Sequence, residues 1–233
     1  MTICIIPARG GSKRIPKKNI KKFFGRPMIA WSIEAAQKSK IFSRIIVSTD
    51  DDEIAAIANS LGADVPFMRP QELADDYTST GDVMAHACRW IVDEGMSPEV
   101  ICCLYPTAPF IQSSDLEQAL AIMATGNWEY VFTVGEYASP VFRSFTQDPA
   151  GGVKMLFPEC FETRSQDLDN VYHDAGMFYM GMLDAWIMGA RVLDKHAIPM
   201  KIPSWRVQDI DTPEDWRRAE LMYQVLMKNG ELD

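Results

Sequence analysis

Four short apolar runs, Ile3–Ile6, Arg44–Ser48, Val100–Leu104 and Tyr130–Val134, constrain this chain most. Each has the length and composition of a buried strand rather than of a helix. Segments with helical spacing separate them. Pro27 suits the first turn of a helix carrying Met28, Ile29, Trp31, Ile33 and Ala36. Thr49-Asp50-Asp51 offers caps for a second, with Ile54, Ile57, Ala58 and Leu61 on one face and Gly62 at its end. Thr80–Glu94 reads as a third helix, and Ser114-Asp115 opens a fourth. This alternation predicts an α/β fold with a mainly parallel sheet and helices on both faces. Ligands of such sheets bind beyond the carboxyl ends of the strands, where the segments after Ile6, Ser48 and Leu104 gather.

The alternation loosens between Gly135 and Ile198. Gly151-Gly152 suits a hairpin turn between Phe142–Phe145 and Val153–Phe157. The expectation is one domain over residues 1–233 with a subdomain inserted at 135–198, a lid or an oligomer arm. Asn229 and Gly230 should end the last helix.

Charge narrows the function. The chain carries a formal net charge of −9, yet eight of its 23 Lys and Arg are Arg9, Lys13, Arg14, Lys17, Lys18, Lys21, Lys22 and Arg26. A basic island at a strand-to-loop junction suits a triphosphate: Gly10 and Gly11 let the backbone approach phosphate oxygens, and the cations neutralise them. The loop is neither a Walker A nor a GxGxxG sequence. Asn19 either bonds phosphate or orders the loop. The acidic balance argues against nucleic acid as a partner. No apolar run approaches a membrane span of about 20 residues. Five cysteines without metal spacing read as reduced core thiols, which places the protein in the cytoplasm.

A second constellation is Val207-Gln208-Asp209-Ile210-Asp211-Thr212-Pro213-Glu214-Asp215. If Arg206–Asp211 is a strand, Asp209 and Asp211 share a face about 7 Å apart and can hold a divalent cation. The competing reading makes them turn and cap residues, although Thr212, Pro213 and Asp215 already form a helix start. Thr78-Ser79-Thr80 precedes a helix, as an anion site or as plain caps. Thr163–Asp167 and His173-Asp174-Ala175-Gly176 gather polar groups in the looser region, with His173 beside Asp174 as a tuned base or a surface pair.

Taken in order, these segments resemble the CMP-activated-sugar synthetases, cytidylyltransferases of nine-carbon sialic-type acids and of the eight-carbon Kdo. The motifs are Ile6-Pro7-Ala8-Arg9-Gly10-Gly11-Ser12-Lys13 with Pro16 and Lys18-Asn19, then Ser48-Thr49-Asp50, Arg69-Pro70, Pro106-Thr107-Ala108-Pro109 and Asp209-Ile210-Asp211. The Tyr105–Phe110, Thr163–Leu168, Tyr172–Gly176 and Arg206–Thr212 stretches resemble the branch that activates pseudaminic acid. The resemblance implies a Rossmann-like nucleotidyltransferase fold and CTP plus a nine-carbon sugar acid as substrates. It also implies Mg²⁺ as cofactor and a homodimer whose arm is the 135–198 insertion. Arg9, Lys18, Asp209 and Asp211 would be catalytic, the two aspartates holding the metal. Ala8, Arg9, Gly10, Gly11, Ser12, Lys13, Lys18, Asn19, Arg69 and Thr80 would bind nucleotide. Tyr105, Arg164, Gln166, His173 and Tyr179 would bind the sugar acid. N-acetylneuraminate, legionaminate and Kdo are the rival acids. A dinucleotide-dependent oxidoreductase and a silent sugar-nucleotide binder are the rivals of other classes.

Overall fold

The first apolar run becomes β1 (Thr2–Pro7), in which Ile3, Cys4, Ile5 and Ile6 are fully buried. The computed structural model describes residues 1–231. The basic loop that follows is closed by a short antiparallel ladder of β2 (Lys22–Phe23) and β3 (Arg26–Pro27). α1 (Met28–Ser39) begins one residue later than expected. Pro27, at ψ 139°, is its N-cap and not part of its first turn. β4 (Arg44–Ser48) leads to α2 (Asp52–Ser60), capped by Asp51, whose carboxylate accepts the Glu53 and Ile54 N–H groups at 2.8 and 3.0 Å. α3 (Thr80–Asp93) is capped by Ser79. β5 (Val100–Leu104) is followed by α4 (Ser113–Met123), capped by Gln112 in a reciprocal box with Asp115. β6 (Tyr130–Glu136) ends the regular alternation.

An excursion then carries the hairpin β7 (Phe145–Gln147) and β8 (Val153–Met155), turning at Gly151 with φ +91°. The chain returns as β9 (Tyr172–Met182), α5 (Leu183–Met188) and β10 (Ala197–Lys201), and closes with α6 (Pro213–Asn229), stopped by Gly230 at φ +67°.

Six strands form the central sheet in the order β10-β6-β9-β5-β1-β4. β1 is parallel to β4 and β5, and β10 is parallel to β6. β9 is antiparallel to both of its neighbours, β5 and β6. The 135–198 boundaries of the expected insertion are therefore corrected: Tyr172–Met182 is a central strand, and the excursion is confined to about residues 137–171. A second correction concerns Arg206–Asp211, which is not a strand. Ser204–Arg206 forms a single 3₁₀ turn, and residues 207–212 run irregularly up to α6. The shared face inferred from strand alternation does not exist.

Strand alternation sends β1 side chains to both layers. Cys4 and Ile6 join Ile33, Leu116 and Trp216 on one side, and Ile3 and Ile5 join Met84, Ile91 and Trp186 on the other. Both faces are covered by helices, as a parallel core requires. Behind the basic loop, Phe23 meets Trp216 edge-on at 5.6 Å and Tyr223 at 5.3 Å. This aromatic cluster fixes α6, and with it Asp211, against the loop.

Candidate active site

The carboxyl ends of β1, β4 and β5 open into a cleft of about 570 Å³. One wall is the basic loop. Arg9, Lys13, Arg14 and Lys18 all face the cleft, with Asn19 and Ser12 beside them. The loop is pinned from beneath. Asn19 Nδ2 donates to the Arg9 carbonyl at 2.9 Å and so orders the loop, while the residue also lines the cleft. Gly10 N–H donates to Asp50 Oδ1 at 2.9 Å, and a Cβ on Gly10 would lie 2.6 Å from Asp51 Oδ2. Only glycine allows that approach. Gly11 stands in open space. Ala8 is fully buried, its N–H bonded to the Ser48 carbonyl at 2.9 Å, so it holds the loop to β4 without facing the cleft.

Each cation already has an acidic or carbonyl partner. Arg9 Nη1 donates to the Asp75 carbonyl at 2.5 Å and pairs with Asp76 at 3.0 Å, and Lys13 also pairs with Asp76. Lys18 Nζ donates to the Ile210 carbonyl at 2.7 Å and to Asp211 Oδ1 at 3.1 Å, while Arg14 pairs with Asp211 Oδ2 at 2.7 Å. Asp75 and Asp76 stand just ahead of Thr78-Ser79-Thr80, which the sequence offers as an anion site or as plain caps; two exposed acids there carry no signal of their own. The hydroxyls are occupied locally: Ser79 caps α3, and Thr78 Oγ1 donates to Asp75.

Arg69 is buried under the cleft, with Nη2 donating to the Ser48 carbonyl at 2.5 Å and Nε to Ser48 Oγ at 3.1 Å. Burial lowers its guanidinium to about 10, so it remains a cation at neutral pH. Asp209 and Asp211 come out differently. Asp209 keeps solvent access, yet desolvation by surrounding protein, then the Asp211 charge, raises its carboxyl. Burial also pushes Asp211 upward, but Lys18 and Arg14 outweigh it and the net shift is downward. Asp211 faces the cleft. Asp209 lies instead against Gly176 of β9, 3.8 Å from where a Cβ there would stand. The Asp211 charge thus acts on Asp209 although no strand unites them.

A second cavity, of about 400 Å³, opens beside the first, and Thr80 and Tyr105 line both. Thr80 Oγ1 and the Tyr105 hydroxyl are 3.1 Å apart. Desolvation pushes the Tyr105 phenol up to about 12. Tyr179 and Asp174 complete that wall, and Trp186, Ala190, Val192 and Leu193 supply apolar surface. Tyr105 and Tyr179 are therefore brought together. Arg164 and Gln166 are exposed on the excursion and line neither cavity of their own chain. His173 packs on Tyr137 at 4.9 Å and meets only the backbone carbonyl of Asp174, at 2.9 Å. The His173–Asp174 side-chain pair of the sequence reading is corrected: the Asp174 carboxylate serves Tyr179 and the Gly176 N–H instead.

The family model for cytidylyltransferases matches residues 3–145, which include the basic loop, Arg69 and Tyr105. A pseudaminic acid cytidylyltransferase of Campylobacter jejuni subsp. jejuni is 40% identical over 223 residues, covering 96% of either chain. A CMP-N,N'-diacetyllegionaminic acid synthase of Legionella pneumophila subsp. pneumophila is 31% identical over 235 residues, again covering 96% of each. Among solved structures, a CMP:2-keto-3-deoxy-manno-octonic acid synthetase in complex with CTP superposes with a TM-score of 0.68 at 17% identity, covering 97% of this chain and 99% of the other. That last likeness speaks for the fold alone. The sequence identity goes further, because 40% over 96% of both chains, with a family model over residues 3–145, shows the family: the chain belongs to the cytidylyltransferases, a family of nucleotidyltransferases.

Proposed function

We propose that this enzyme joins CTP to pseudaminic acid, releasing diphosphate and CMP-pseudaminate. The observation that carries the reading is the 40% identity over 96% of both chains to a relative named for that acid, against 31% for one named for a legionaminic acid. The anomeric hydroxyl of the acid attacks the α-phosphorus of CTP, its P–O bond to the β-phosphate breaks, and diphosphate leaves with the electron pair. The hydroxyl proton passes to a base. Little of this is covalent work for the protein, so positioning and charge neutralisation dominate.

The chain's own residues suit those tasks. Arg9, Lys13 and Lys18 converge on the cleft, and a triphosphate entering it exchanges places with the Asp75 carbonyl and the Asp76 and Asp211 carboxylates. Arg69, still charged and dry, adds fixed positive potential below the β4 terminus. Tyr105 and Tyr179 wall the adjoining cavity, where the sugar acid would lie. Among the described residues, no three His, Cys, Asp or Glu side chains are grouped to hold a metal by themselves. Asp211, which faces the cleft, would hold Mg²⁺ shared with phosphate oxygens, the usual manner of that ion, with Asp209 reaching it from beside Gly176. When bound, it would neutralise charge on the phosphates.

The excursion exposes Phe145, Val153, Leu156 and Phe161. We read it as the contact between two copies, an arrangement in which Arg164 and Gln166 would serve the neighbouring site. No helix of the described residues is long and apolar enough to cross a membrane, and Cys4, Cys88, Cys102 and Cys103 are buried as core residues, which supports the reading of a cytoplasmic protein.

The test is diphosphate release from CTP and Mg²⁺ with pseudaminic acid, run beside legionaminate, N-acetylneuraminate and Kdo. Release with pseudaminic acid alone is expected. Release with another acid instead would overturn the sugar assignment and keep the chemistry. Silence with all four would overturn the catalytic reading.

A further inference from the structure

β9 leaves its ladder at one place. Opposite β6, Phe132 pairs with Tyr179 and Val134 with Asp174, so residues 175–178 stand against Thr133 alone. Bulges re-aim side chains and are frequent beside active sites. This one is fixed by Asp174. Its Oδ1 accepts the Gly176 N–H at 2.8 Å, and Gly176 adopts φ +62°. Its Oδ2 accepts the Tyr179 hydroxyl at 2.5 Å. Tyr179 packs edge-on against Tyr105 at 5.7 Å, and Tyr105 in turn meets Thr80. These side chains form the partition between the nucleotide cleft and the second cavity.

The polarity of that partition follows from proton counting. A phenol has one proton and accepts with its lone pairs, whereas a carboxylate only accepts. With its proton committed to Asp174, the Tyr179 oxygen has only lone pairs left for other partners. Desolvation, reinforced by Tyr105 and Asp174, holds the phenol far above its ordinary range, so it stays protonated. Trp186, Ala190, Val192 and Leu193 give the same cavity apolar surface, and Arg191 adds a cation to its lining. At Tyr179, a substituent with an N–H for the oxygen and a methyl for the apolar surface satisfies both, whereas a group that only accepts leaves that oxygen without a partner and must turn to Arg191 or to the Thr80 and Tyr105 hydroxyls.

We propose that Asp174 is a positioning and specificity-determining residue for the sugar acid, holding Tyr179 as an acceptor so that the subsite selects a hydrogen-bond donor such as the N–H of an acylamino group. The inference rests on the reading of this protein as the cytidylyltransferase of such an acid.

The test is steady-state kinetics of the full-length enzyme with CTP, Mg²⁺ and pseudaminic acid, on wild type, Asp174→Asn, Tyr179→Phe and the double variant, with thermal midpoints beside them. An asparagine amide can donate to Tyr179 and turn its proton outward, which reverses the polarity without changing the shape. Expected is a KM for the sugar acid raised roughly 10- to 100-fold in Asp174→Asn, the scale of leaving a buried donor without its acceptor. The KM for CTP should stay near wild type. Tyr179→Phe should cost about as much, and the double variant no more than the worse single one. An unchanged KM for the acid in Asp174→Asn, equal rises for both substrates, or losses that multiply in the double variant would each overturn the proposal while wild-type turnover keeps the functional reading intact. If wild type turns over only another acid, the same comparison is made with that acid. Wild type inactive with every acid overturns the functional reading, and this inference with it.

Discussion

The Arg206 guanidinium grips the Asp115 carboxylate through two hydrogen bonds, Nη1 to Oδ2 at 2.7 Å and Nη2 to Oδ1 at 2.9 Å, both side chains being almost fully buried. The pair ties the irregular 207–212 segment to the amino end of α4, and so sets where Asp209 and Asp211 can lie. Leaving one partner buried alone costs about 3–5 kcal/mol, whereas replacing both by apolar residues is often close to neutral. Arg206→Met should therefore lower the denaturation midpoint strongly, and adding Asp115→Leu should recover part of the loss. Recovery will be incomplete, because Asp115 also accepts the Gln112 N–H of the α4 cap. Urea titrations of the two variants and wild type check this; a mild single loss would mean the pair does not anchor the segment.

Two adjacent glycines of the basic loop should behave differently. A Cβ at position 10 meets Asp51 Oδ2 at 2.6 Å and Asp51 Cβ at 2.8 Å, and Asp51 cannot yield because it caps α2. A Cβ at position 11 meets nothing within 4 Å. Gly10→Ala is expected to displace the loop and raise KM for CTP several-fold, at an overpacking cost of about 1–3 kcal/mol. Gly11→Ala should leave stability near wild type and raise KM for CTP less than Gly10→Ala, since only phosphate approach and not the loop's packing is touched. Equal behaviour of the two would show that the Gly10 approach does not matter to the nucleotide.

Turnover should depend on Arg9 and Asp211 far more than folding does. Both lie at the cleft surface, where side-chain truncation leaves no cavity in the core. Arg9→Ala and Asp211→Ala are each expected to lower kcat/KM by at least ~100-fold, the scale of losing a preorganised charge at a reacting group. Their thermal midpoints should stay within a few degrees of wild type. Near-normal turnover in either purified variant would remove that residue from the mechanism.

The strands that were legible in the sequence are those whose side chains are buried on both faces. Val100–Leu104 is completely buried and shows as an unbroken apolar run. β9 hid because it is antiparallel, bulged at Gly176 and broken in pattern by Asp174. Its Gly181 looks like a turn residue, yet it is paired within the strand, one residue from its end, because the Tyr130 and Trp186 rings lie where a Cβ would go. In the site, the cationic half was legible because it is local: Arg9, Lys13 and Lys18 belong to one loop. Its partners were not, since Asp76 and Asp211 reach that loop from 63 and 193 positions away, over distances that no local pattern records.

Asp209 gives a pH signature. Its carboxyl is raised by desolvation and then by the Asp211 charge, so the folded protein holds that proton more tightly than the unfolded chain does. Stability from this group is complete below its unfolded value and is lost as pH rises through the raised folded value. Asp211 has the opposite sign: its lowered carboxyl stabilises above the unfolded value, and that contribution is lost as pH falls through the folded one. Asp209→Asn, a neutral isostere, should thus be more stable than wild type at neutral pH, with the gap closing in acid, while turnover falls. A gap that is constant with pH would mean that Asp209 does not titrate in the folded protein as its surroundings dictate.

The excursion supplies the last expectation, because its apolar side chains and its polar candidates point to one arrangement. Phe145 and Phe161 are each 61% exposed and Val153 69%, more apolar surface than so short a segment keeps uncovered without use. Arg164 and Gln166 lie on the same excursion and reach neither cavity of their own chain. A second copy solves both problems if each arm covers the other's cleft, an isologous pairing. Sedimentation should show a dimer at micromolar concentration, and Val153→Asp with Phe161→Asp should shift it to monomer. A complementation assay then separates a shared site from a mere contact. Arg9→Ala and Arg164→Ala, each inactive alone, should on mixing and re-equilibration regain about a quarter of wild-type turnover, since half the dimers are mixed and each mixed dimer has one intact site. No regain from a proven mixed dimer would place Arg164 outside the partner's site.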